Sequence, residues 1–295
     1  MLAKAEGPAR LRELLARGGL IVAPGVFDGL SARIAEAAGF DALYVSGGAV
    51  ARSMGYPDIG LVTQTEMVKR IEEIRAVTRL PLIVDADTGY GNAINVIRTV
   101  RAYERAGAAA LHIEDQVEPK RCGHYEGKEV VPAWEMVQKV EAAVAARENP
   151  DFVIIARTDA RAVLGLEEAI RRAQLYARAG ADVIFVEAPQ SEEEMQRIAR
   201  EVPAPLLINM FWGGKTPLVE PRRLEQWGYR IMIVPSDLQR AAIRAMQRAA
   251  QALRRDGHTW SIRDELATFQ EREQVVGLEE IQRLQERFLR AAPEA

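Results

Sequence analysis

The chain has 295 residues, of which 48% are hydrophobic and 27% are charged, and its formal net charge is -3. This composition is typical of a folded globular protein with one large or two ordinary domains, and the slightly negative charge argues against a nucleic-acid partner. No apolar run reaches membrane-spanning length, the first eight residues lack the apolar core of a signal peptide, and one cysteine cannot form an internal disulfide, so we expect a cytoplasmic protein with no membrane partner.

Short β-rich apolar runs recur along the chain and predict eight strands. Continuous apolar runs such as residues 152–156 indicate strands that are buried on both faces, as in a parallel sheet. In chain order the predicted strands are 20–22, 42–46, 82–87, 110–115, 152–159, 183–188, 206–210 and 231–236.

Amphipathic helices are predicted between these strands, among them residues 66–76, 93–106, 133–146 and 166–179, and glycines 39, 107 and 180 stand where helices should end. Eight βα units without a break in composition predict an α/β fold, a (β/α)8 TIM barrel forming one domain over residues 1–295. A doubly wound sheet is the alternative, but no glycine-rich dinucleotide fingerprint follows the first strand. Further amphipathic helices, 262–269 and 278–289, are predicted in a C-terminal extension, residues 256–295, that could pack on a neighbouring subunit.

Two aspartates, Asp85 and Asp87, end the third predicted strand. Their period-two spacing aims both carboxylates at one side, and TIM-barrel enzymes carry reactive groups at these strand ends. Hard oxygen ligands suit Mg²⁺ or Mn²⁺, and Asp58 and Glu114 could hold waters around such an ion. The alternative is a turn with a capping Asp85.

A cationic residue, Arg157, ends the fifth predicted strand. An unpaired buried guanidinium would be very costly, so we expect Arg157 to pair with Glu187, Glu114 or a substrate carboxylate. A purely structural ion pair is the alternative.

Other polar residues give weaker evidence for a functional site. The residues Ser46, Gly47 and Gly48 follow the second strand, and their backbone N–H groups could bind an anionic oxygen; a simple strand-to-helix turn is the alternative. His112 falls within strand four and His258 lies near the C-terminal helices, so we expect packing or surface roles for both.

The only cysteine, Cys122, lies in the pentad Lys120-Arg121-Cys122-Gly123-His124. Neighbouring cations and an imidazole favour a thiolate. Most lone cysteines are small buried hydrophobes. The pentad alone does not distinguish a nucleophile, a redox thiol and a proton donor.

The pentad 120–124 and the segments 85–89, 111–116 and 156–160 together resemble the isocitrate lyase/phosphoenolpyruvate mutase superfamily, and the likeness covers about residues 21–288. Within it the chain is most similar to 2-methylisocitrate lyases and to relatives that include 2,3-dimethylmalate lyase and the plant petal-death protein. Members that rearrange or hydrolyse C–P bonds generally lack the cysteine pentad, so the resemblance points to C–C cleavage.

The resemblance implies a barrel whose last helix is swapped between subunits, in a homotetramer built as a dimer of dimers. It implies Mg²⁺ near Asp85 and Asp87, and Cys122 as the acid/base on a loop that closes over a carboxylate substrate. We hypothesise Tyr44 or a Glu187-linked group as the base. The substrate would contact Ser46, Gly47, Gly48, Gly123, His124, Arg157, Glu187, Asn209, Arg240 and Arg272.

The implied reaction is Mg²⁺-dependent cleavage of a 2-hydroxy di- or tricarboxylate, first of all 2-methylisocitrate to pyruvate and succinate. Arg240, and less directly Arg272, match arginines that bind the extra carboxylates in methylisocitrate lyases. The segment 209–217 instead favours the dimethylmalate lyases, because Phe211 and Trp212 would make its wall bulkier and less polar. The alternatives are a substituted-malate lyase, an oxaloacetate decarboxylase, a phosphonate mutase or hydrolase, and a non-catalytic binding protein.

Overall fold

The computed structural model describes residues 7–289, so residues 1–6, on which part of the signal-peptide argument rests, and the last residues of the predicted extension, 290–295, lie outside the described part. Eight parallel strands form a closed barrel in chain order, in which β8 pairs with β1 through Ile231 and Ile21. The predicted TIM barrel is thus confirmed, and every predicted strand is present. The strands are β1 Ile21–Val26, β2 Leu43–Val45, β3 Leu82–Asp85, β4 Ala110–Glu114, β5 Val153–Thr158, β6 Val183–Val186, β7 Leu206–Asn209 and β8 Tyr229–Val234.

Helices surround the barrel and follow the predicted pattern closely. The three glycines predicted to end helices all have positive φ, 85° at Gly39, 98° at Gly107 and 101° at Gly180. This is the left-handed backbone conformation in which a residue commonly ends an α-helix. The helices are α1 Gly7–Arg17, α2 Gly29–Ala37, α3 Gly47–Ser53, α4 Gln64–Arg75, α5 Ala93–Ala106, α6 Ala133–Ala146, α7 Ala160–Val163, α8 Leu166–Arg178, α9 Glu192–Glu201, α10 Pro221–Trp227, α11 Asp237–Asp256, α12 Phe269–Val275 and α13 Leu278–Phe288.

One predicted helix, 262–269, is wrong. The segment Trp260–Glu265 forms a 3₁₀ helix that is kinked at Ile262, and α12 begins only at Phe269. The reason is local, because Thr268 caps α12 in a reciprocal box with Glu271 and so starts a new helix at that point.

Side chains along each strand alternate between the helix-facing and the inner side of the barrel. On β5, Ile154 packs in the outer apolar cluster and Ile155 in the inner one. The same alternation on β3 places Ile83 inside. Arg157 and Asp85 come two positions after Ile155 and Ile83. The same alternation therefore places their side chains on the inner side of the barrel, at the C-terminal ends of the strands.

Two compact units are distinguished along the chain, Met1–Gln239 and Arg240–Ala295. The first contains the closed barrel, and the second contains most of α11 with α12 and α13. The second unit therefore begins earlier than the predicted extension at residue 256, whose boundary and single-domain assignment stay predictions. Among residues 7–289, no helix is long and apolar enough to cross a membrane.

Candidate active site

The carboxylate of Asp85 is the centre of a polar cluster inside the barrel mouth. Its Oδ2 accepts hydrogen bonds from Gly47 N (3.2 Å) and from the Tyr44 hydroxyl (3.4 Å), and its Oδ1 accepts from Asp87 N (3.1 Å). Burial opposes ionisation, but His112, Lys120 and Arg157 together hold the pKa of Asp85 below its ordinary value. Asp85 is therefore an ionised carboxylate, available to a cation.

The side chain of Lys120, from the cysteine pentad, reaches into this cluster. Its Nζ donates to Asp58 Oδ1 at 2.6 Å and lies 2.8 Å from Asp87 Oδ1. Burial raises the pKa of Asp87 to about 6 in spite of Lys120. A cavity of 10 Å³ lies among these residues and Asp85, and about that volume holds one water molecule.

The two glycines of Ser46-Gly47-Gly48 allow the acids to approach the backbone. A Cβ at Gly47 would lie 2.7 Å from Asp85 Oδ2, and one at Gly48 would lie 2.6 Å from Asp58 Oδ2. Ser46 caps α3 by accepting from Ala49 N at 3.2 Å. The backbone N–H of Gly47 already donates to Asp85, so the structure combines the predicted turn with a contact to the acid cluster.

The donor set fits a divalent cation. Among the described residues, one ligand atom each from Asp85, His112 and Glu114 lies within 4.8 Å of the others, and all three residues are buried. Glu114 Oε1 is buried without a hydrogen-bond partner, and burial raises the pKa of Glu114 well above its ordinary value. A cation there would satisfy the orphaned oxygen and stabilise the ionised carboxylate.

His112 lies in the site, where the sequence analysis expected only a packing residue. Its Nε2 is 2.9 Å from the Tyr44 hydroxyl and 3.5 Å from Asp85 Oδ1. Burial lowers the pKa of His112 to about 4, so its imidazole is neutral near pH 7. The missed signal is the period-two spacing from His112 to Glu114, since both face the barrel interior.

Arg157 is buried among three carboxylates. Its Nε lies 3.2 Å from Glu114 and 2.9 Å from Asp159, and its Nη1 lies 3.3 Å from Glu187. The predicted pairing with Glu114 and Glu187 is confirmed, and Asp159 is an additional partner. The sequence feature that could have predicted Asp159 in the site is again a spacing of two, from Arg157 to Asp159.

Glu187 connects Arg157 to a second group of polar side chains. Its Oε1 is 3.1 Å from His124 Nε2 and accepts from Asn209 Nδ2 at 3.4 Å. Burial opposes ionisation, but Arg157 and His124 hold the pKa of Glu187 below its ordinary value. His124 is oriented from its other side by Lys215 N, which donates to His124 Nδ1 at 3.0 Å.

Cys122 lies on the segment between β4 and α6, residues 116–131, which we call the catalytic loop. An antiparallel bridge between Gln116 and Val130 closes the base of this loop. Cys122 is half-buried, and the pKa of its thiol is raised, first by burial and then by Asp58. The expected thiolate setting is therefore wrong: Lys120 is engaged by the acids, and the exposed Arg121 turns towards Glu126. A protonated thiol is the form that donates a proton.

Tyr44 does not have the properties of a phenolate base. Burial is the main cause that raises the pKa of Tyr44 well above its ordinary value, and the Asp85 carboxylate adds to this effect. The hydroxyl stays protonated near neutral pH and donates to Asp85.

The predicted substrate arginines lie in the second unit. Arg240 is its first residue and is exposed. Arg272 is also exposed, with Nη2 2.7 Å from Glu273 and its guanidinium over the Phe269 ring. Their contribution to the pocket stays a prediction.

The two aromatic residues after β7 differ in their surroundings, and the wall that they were predicted to form stays a prediction. The Phe211 ring packs edge-on against His124, with the ring centres 4.6 Å apart. The Trp212 side chain is 70% exposed.

The sequence is similar to those of known lyases over nearly its whole length. The chain is 47% identical to 2,3-dimethylmalate lyase of Eubacterium barkeri over 95% of this chain and 97% of that protein. It is also 47% identical to 2-methylisocitrate lyase of Aeropyrum pernix, over 96% and 92% of the two chains. These relatives confirm the expectation of an enzyme of the carbon–carbon lyase class.

A solved structure of phosphonopyruvate hydrolase in complex with oxalate and Mg²⁺ superposes with a TM-score of 0.87 at 33% identity, covering 96% of this chain and 99% of that one. The sequence profile of the phosphoenolpyruvate phosphomutase family matches residues 11–254. The chain therefore belongs to the phosphoenolpyruvate phosphomutase family, within the superfamily that also includes the isocitrate lyases.

Proposed function

We propose that this protein is a cytoplasmic, Mg²⁺-dependent lyase that cleaves a 2-hydroxy di- or tricarboxylate between C2 and C3, releasing an α-keto acid and a second carboxylate. One observation carries the proposal: the pentad that bears the protonated thiol of Cys122 also sends Lys120 into the buried acid cluster around Asp85. The proton donor Cys122 is thus only two positions along the chain from Lys120, whose side chain contacts the candidate cation site.

The acid cluster supports a divalent cation by its chemistry. The described atoms that could hold it are carboxylate oxygens of Asp85 and Glu114 and a ring nitrogen of His112, whereas Asp87, predicted as a ligand, is paired with Lys120. Carboxylate oxygens are the ligands that Mg²⁺ and Mn²⁺ prefer, and magnesium is present in the related phosphonopyruvate hydrolase structure. When bound, the ion would lower the pKa of the substrate 2-hydroxyl and neutralise negative charge.

Arg157 and the glycine backbone bind and orient the substrate. The guanidinium of Arg157 would bind the carboxylate beside C2 and is itself fixed by Glu114, Asp159 and Glu187. Because these side chains are fixed before the substrate arrives, little reorganisation is needed during the reaction.

Proton transfers complete the reaction. Removal of the 2-hydroxyl proton turns C2 into a ketone as the C2–C3 bond breaks, and the bonding pair remains on C3 as a carbanion stabilised by its carboxylate. Cys122 donates its S–H proton to C3. The pair of Glu187 and His124, 3.1 Å apart, is the better candidate base, because Tyr44 keeps its proton.

The first candidate substrate is 2-methylisocitrate, which would give pyruvate and succinate. Contact between Phe211 and His124 favours a second candidate, 2,3-dimethylmalate, because an aromatic wall suits an apolar substituent better than a third carboxylate. Relatives of both names are equally identical to this chain, so identity does not separate the two.

The proposal extends to a homotetramer of helix-swapped dimers. The second unit carries large exposed apolar side chains, with Met246 62%, Phe269 73% and Phe288 67% exposed, as in an arm that packs on a neighbouring chain. Light scattering should then give about four times the chain mass, and a monomer would contradict this part of the proposal.

A substrate screen tests the function. Purified protein with Mg²⁺ is assayed for α-keto acid release from 2-methylisocitrate, isocitrate, 2,3-dimethylmalate, citramalate and oxaloacetate, with Cys122→Ser as the matched inactive control. We expect Mg²⁺-dependent release from one of the first three. Absence of release from all five would refute the lyase. Phosphate release from a phosphonate would then favour the hydrolase alternative, and rearrangement of the phosphonate to an isomeric phosphate ester would favour the mutase.

A further inference from the structure

The catalytic loop contains a second buried lysine, Lys128, at the far side of the cysteine pentad. Its Nζ donates to the carbonyl of Gly123 and to Asp159 Oδ1 at 2.8 Å, and its side chain is only 2% exposed. Lys128 thus bonds a main-chain carbonyl within the pentad to a carboxylate at the end of β5.

The Asp159 end of this connection is held rigidly. Its backbone N–H donates to Asp115 Oδ1 at 2.8 Å, and its carboxylate receives two hydrogen bonds from Arg157. Asp115 is fixed in turn by Tyr176 and Arg172 of α8, at 2.8 and 3.0 Å. Lys128 therefore attaches the loop to a part of the barrel that is fixed from several sides.

The Gly123 end of the connection lies tightly against the predicted substrate-binding residues. A Cβ at Gly123 would lie 2.5 Å from Arg157 Nη2 and 2.7 Å from Glu187 Cγ. Gly123 is also flanked by Cys122 and His124, so the position of its carbonyl sets where both of those side chains lie.

The loop has one other buried cation, Lys120, but that side chain is held by Asp58 and Asp87. Both of those acids belong to the cluster proposed to bind a divalent cation. The contacts of Lys128 involve neither of those acids. Lys128 can therefore hold the loop closed whether or not the acid cluster is occupied.

We infer that Lys128 is a positioning residue: it latches the catalytic loop by holding the Gly123 carbonyl against Asp159, and so places the Cys122 thiol over the substrate. This inference rests on the proposed function for its kinetic consequence, and its structural part is independent of the substrate. A buried ion pair with no role beyond folding is the alternative.

The test compares Lys128→Met with Lys128→Arg, which restores charge and donors. For Lys128→Met we expect kcat to fall by about 100-fold, because a displacement of about 1 Å costs that much, with KM within about 3-fold of the wild-type value. Lys128→Arg should recover much of the loss. The matched control is Arg161→Met, which removes a partly buried bidentate ion pair to Glu194 two residues beyond Asp159 and should leave kcat unchanged.

Limited trypsin digestion gives a readout that does not need turnover. Arg121 is exposed on the loop, so an unlatched loop should be cut there about 10-fold faster in Lys128→Met than in the wild type or Arg161→Met. Equal cutting rates, or an activity loss that only follows the folded fraction by circular dichroism, would overturn the latch. If Lys128→Met does not fold, Lys128→Gln, which removes the charge and shortens the side chain, replaces it: faster cutting than in the wild type supports the latch, and wild-type cutting opposes it. Failure of the wild type to turn over any substrate would refute the proposed function and leave the digestion result valid.

Discussion

Gly123→Ala tests whether the catalytic loop must approach Arg157 and Glu187 as closely as the structure shows. The added Cβ would lie 2.5 Å from Arg157 Nη2, about 0.9 Å inside the 3.4 Å at which ordinary contact begins. Arg157 and Glu187 are fixed by buried ion pairs and cannot yield easily, so the loop must shift by about that amount. Displacing the neighbouring thiol by about 1 Å should lower kcat/KM by about 100-fold, which is about 2.7 kcal/mol of transition-state stabilisation.

The assay measures α-keto acid release under subsaturating substrate, and thermal unfolding is measured in parallel. Gly7→Ala is the control, because its Cβ would meet nothing nearer than 3.6 Å and should leave kcat/KM unchanged. The melting temperature of Gly123→Ala should change little, since the strain is relieved by moving a loop. A value of kcat/KM within about 3-fold of the wild type would refute the reasoning, because the loop would then not need this approach.

Four further outcomes are expected. Cys122→Ser should abolish turnover while calorimetry finds Mg²⁺ and pyruvate binding nearly intact; full activity would remove Cys122 from the mechanism. Because burial raises the pKa of Cys122, the donating thiol is lost only above its ordinary range, so kcat should stay level through neutral pH and fall on the alkaline side; a fall near neutral pH would contradict this. Removal of divalent cations with EDTA should abolish activity, and added Mg²⁺ or Mn²⁺ should restore it; full activity in EDTA would contradict a role for a cation in the acid cluster. Asp182→Ala removes hydrogen bonds of 2.8 Å to each of Arg12, Arg147 and Ile154 N and should lower the free energy of unfolding in urea by about 2–3 kcal/mol; a loss below about 0.5 kcal/mol would contradict it.

Most of the barrel follows from local sequence patterns. Strands buried on both faces produce continuous apolar runs, and their period of two continues into the polar residues at the strand ends. For that reason the sequence alone predicts one site that contains Asp85, Glu114 and Arg157. The same rule also assigns His112 and Asp159 to the site, and both were missed because each was considered apart from its partner two residues away.

Contacts across long stretches of chain could not be predicted in the same way. Lys120 reaches Asp58, 62 positions away, and pairs with a carboxylate that itself raises the pKa of the thiol. A pattern of adjacent cations predicts a lowered thiol pKa only if those cations are not paired with acids. In this fold burial dominates instead, and the thiol keeps its proton.

The cysteine pentad acts as a connector between parts of the site that belong to different strands. Lys120 contacts the acids of the candidate cation site, Gly123 lies against Arg157, and His124 pairs with Glu187. Because these contacts all come from one loop, closing the loop would, under the proposed function, bring the proton donor into place together with the carboxylate-binding groups. On the same proposal substrate choice depends on what surrounds His124, and the edge-on contact of Phe211 is the feature there that a larger or more polar substrate would have to displace.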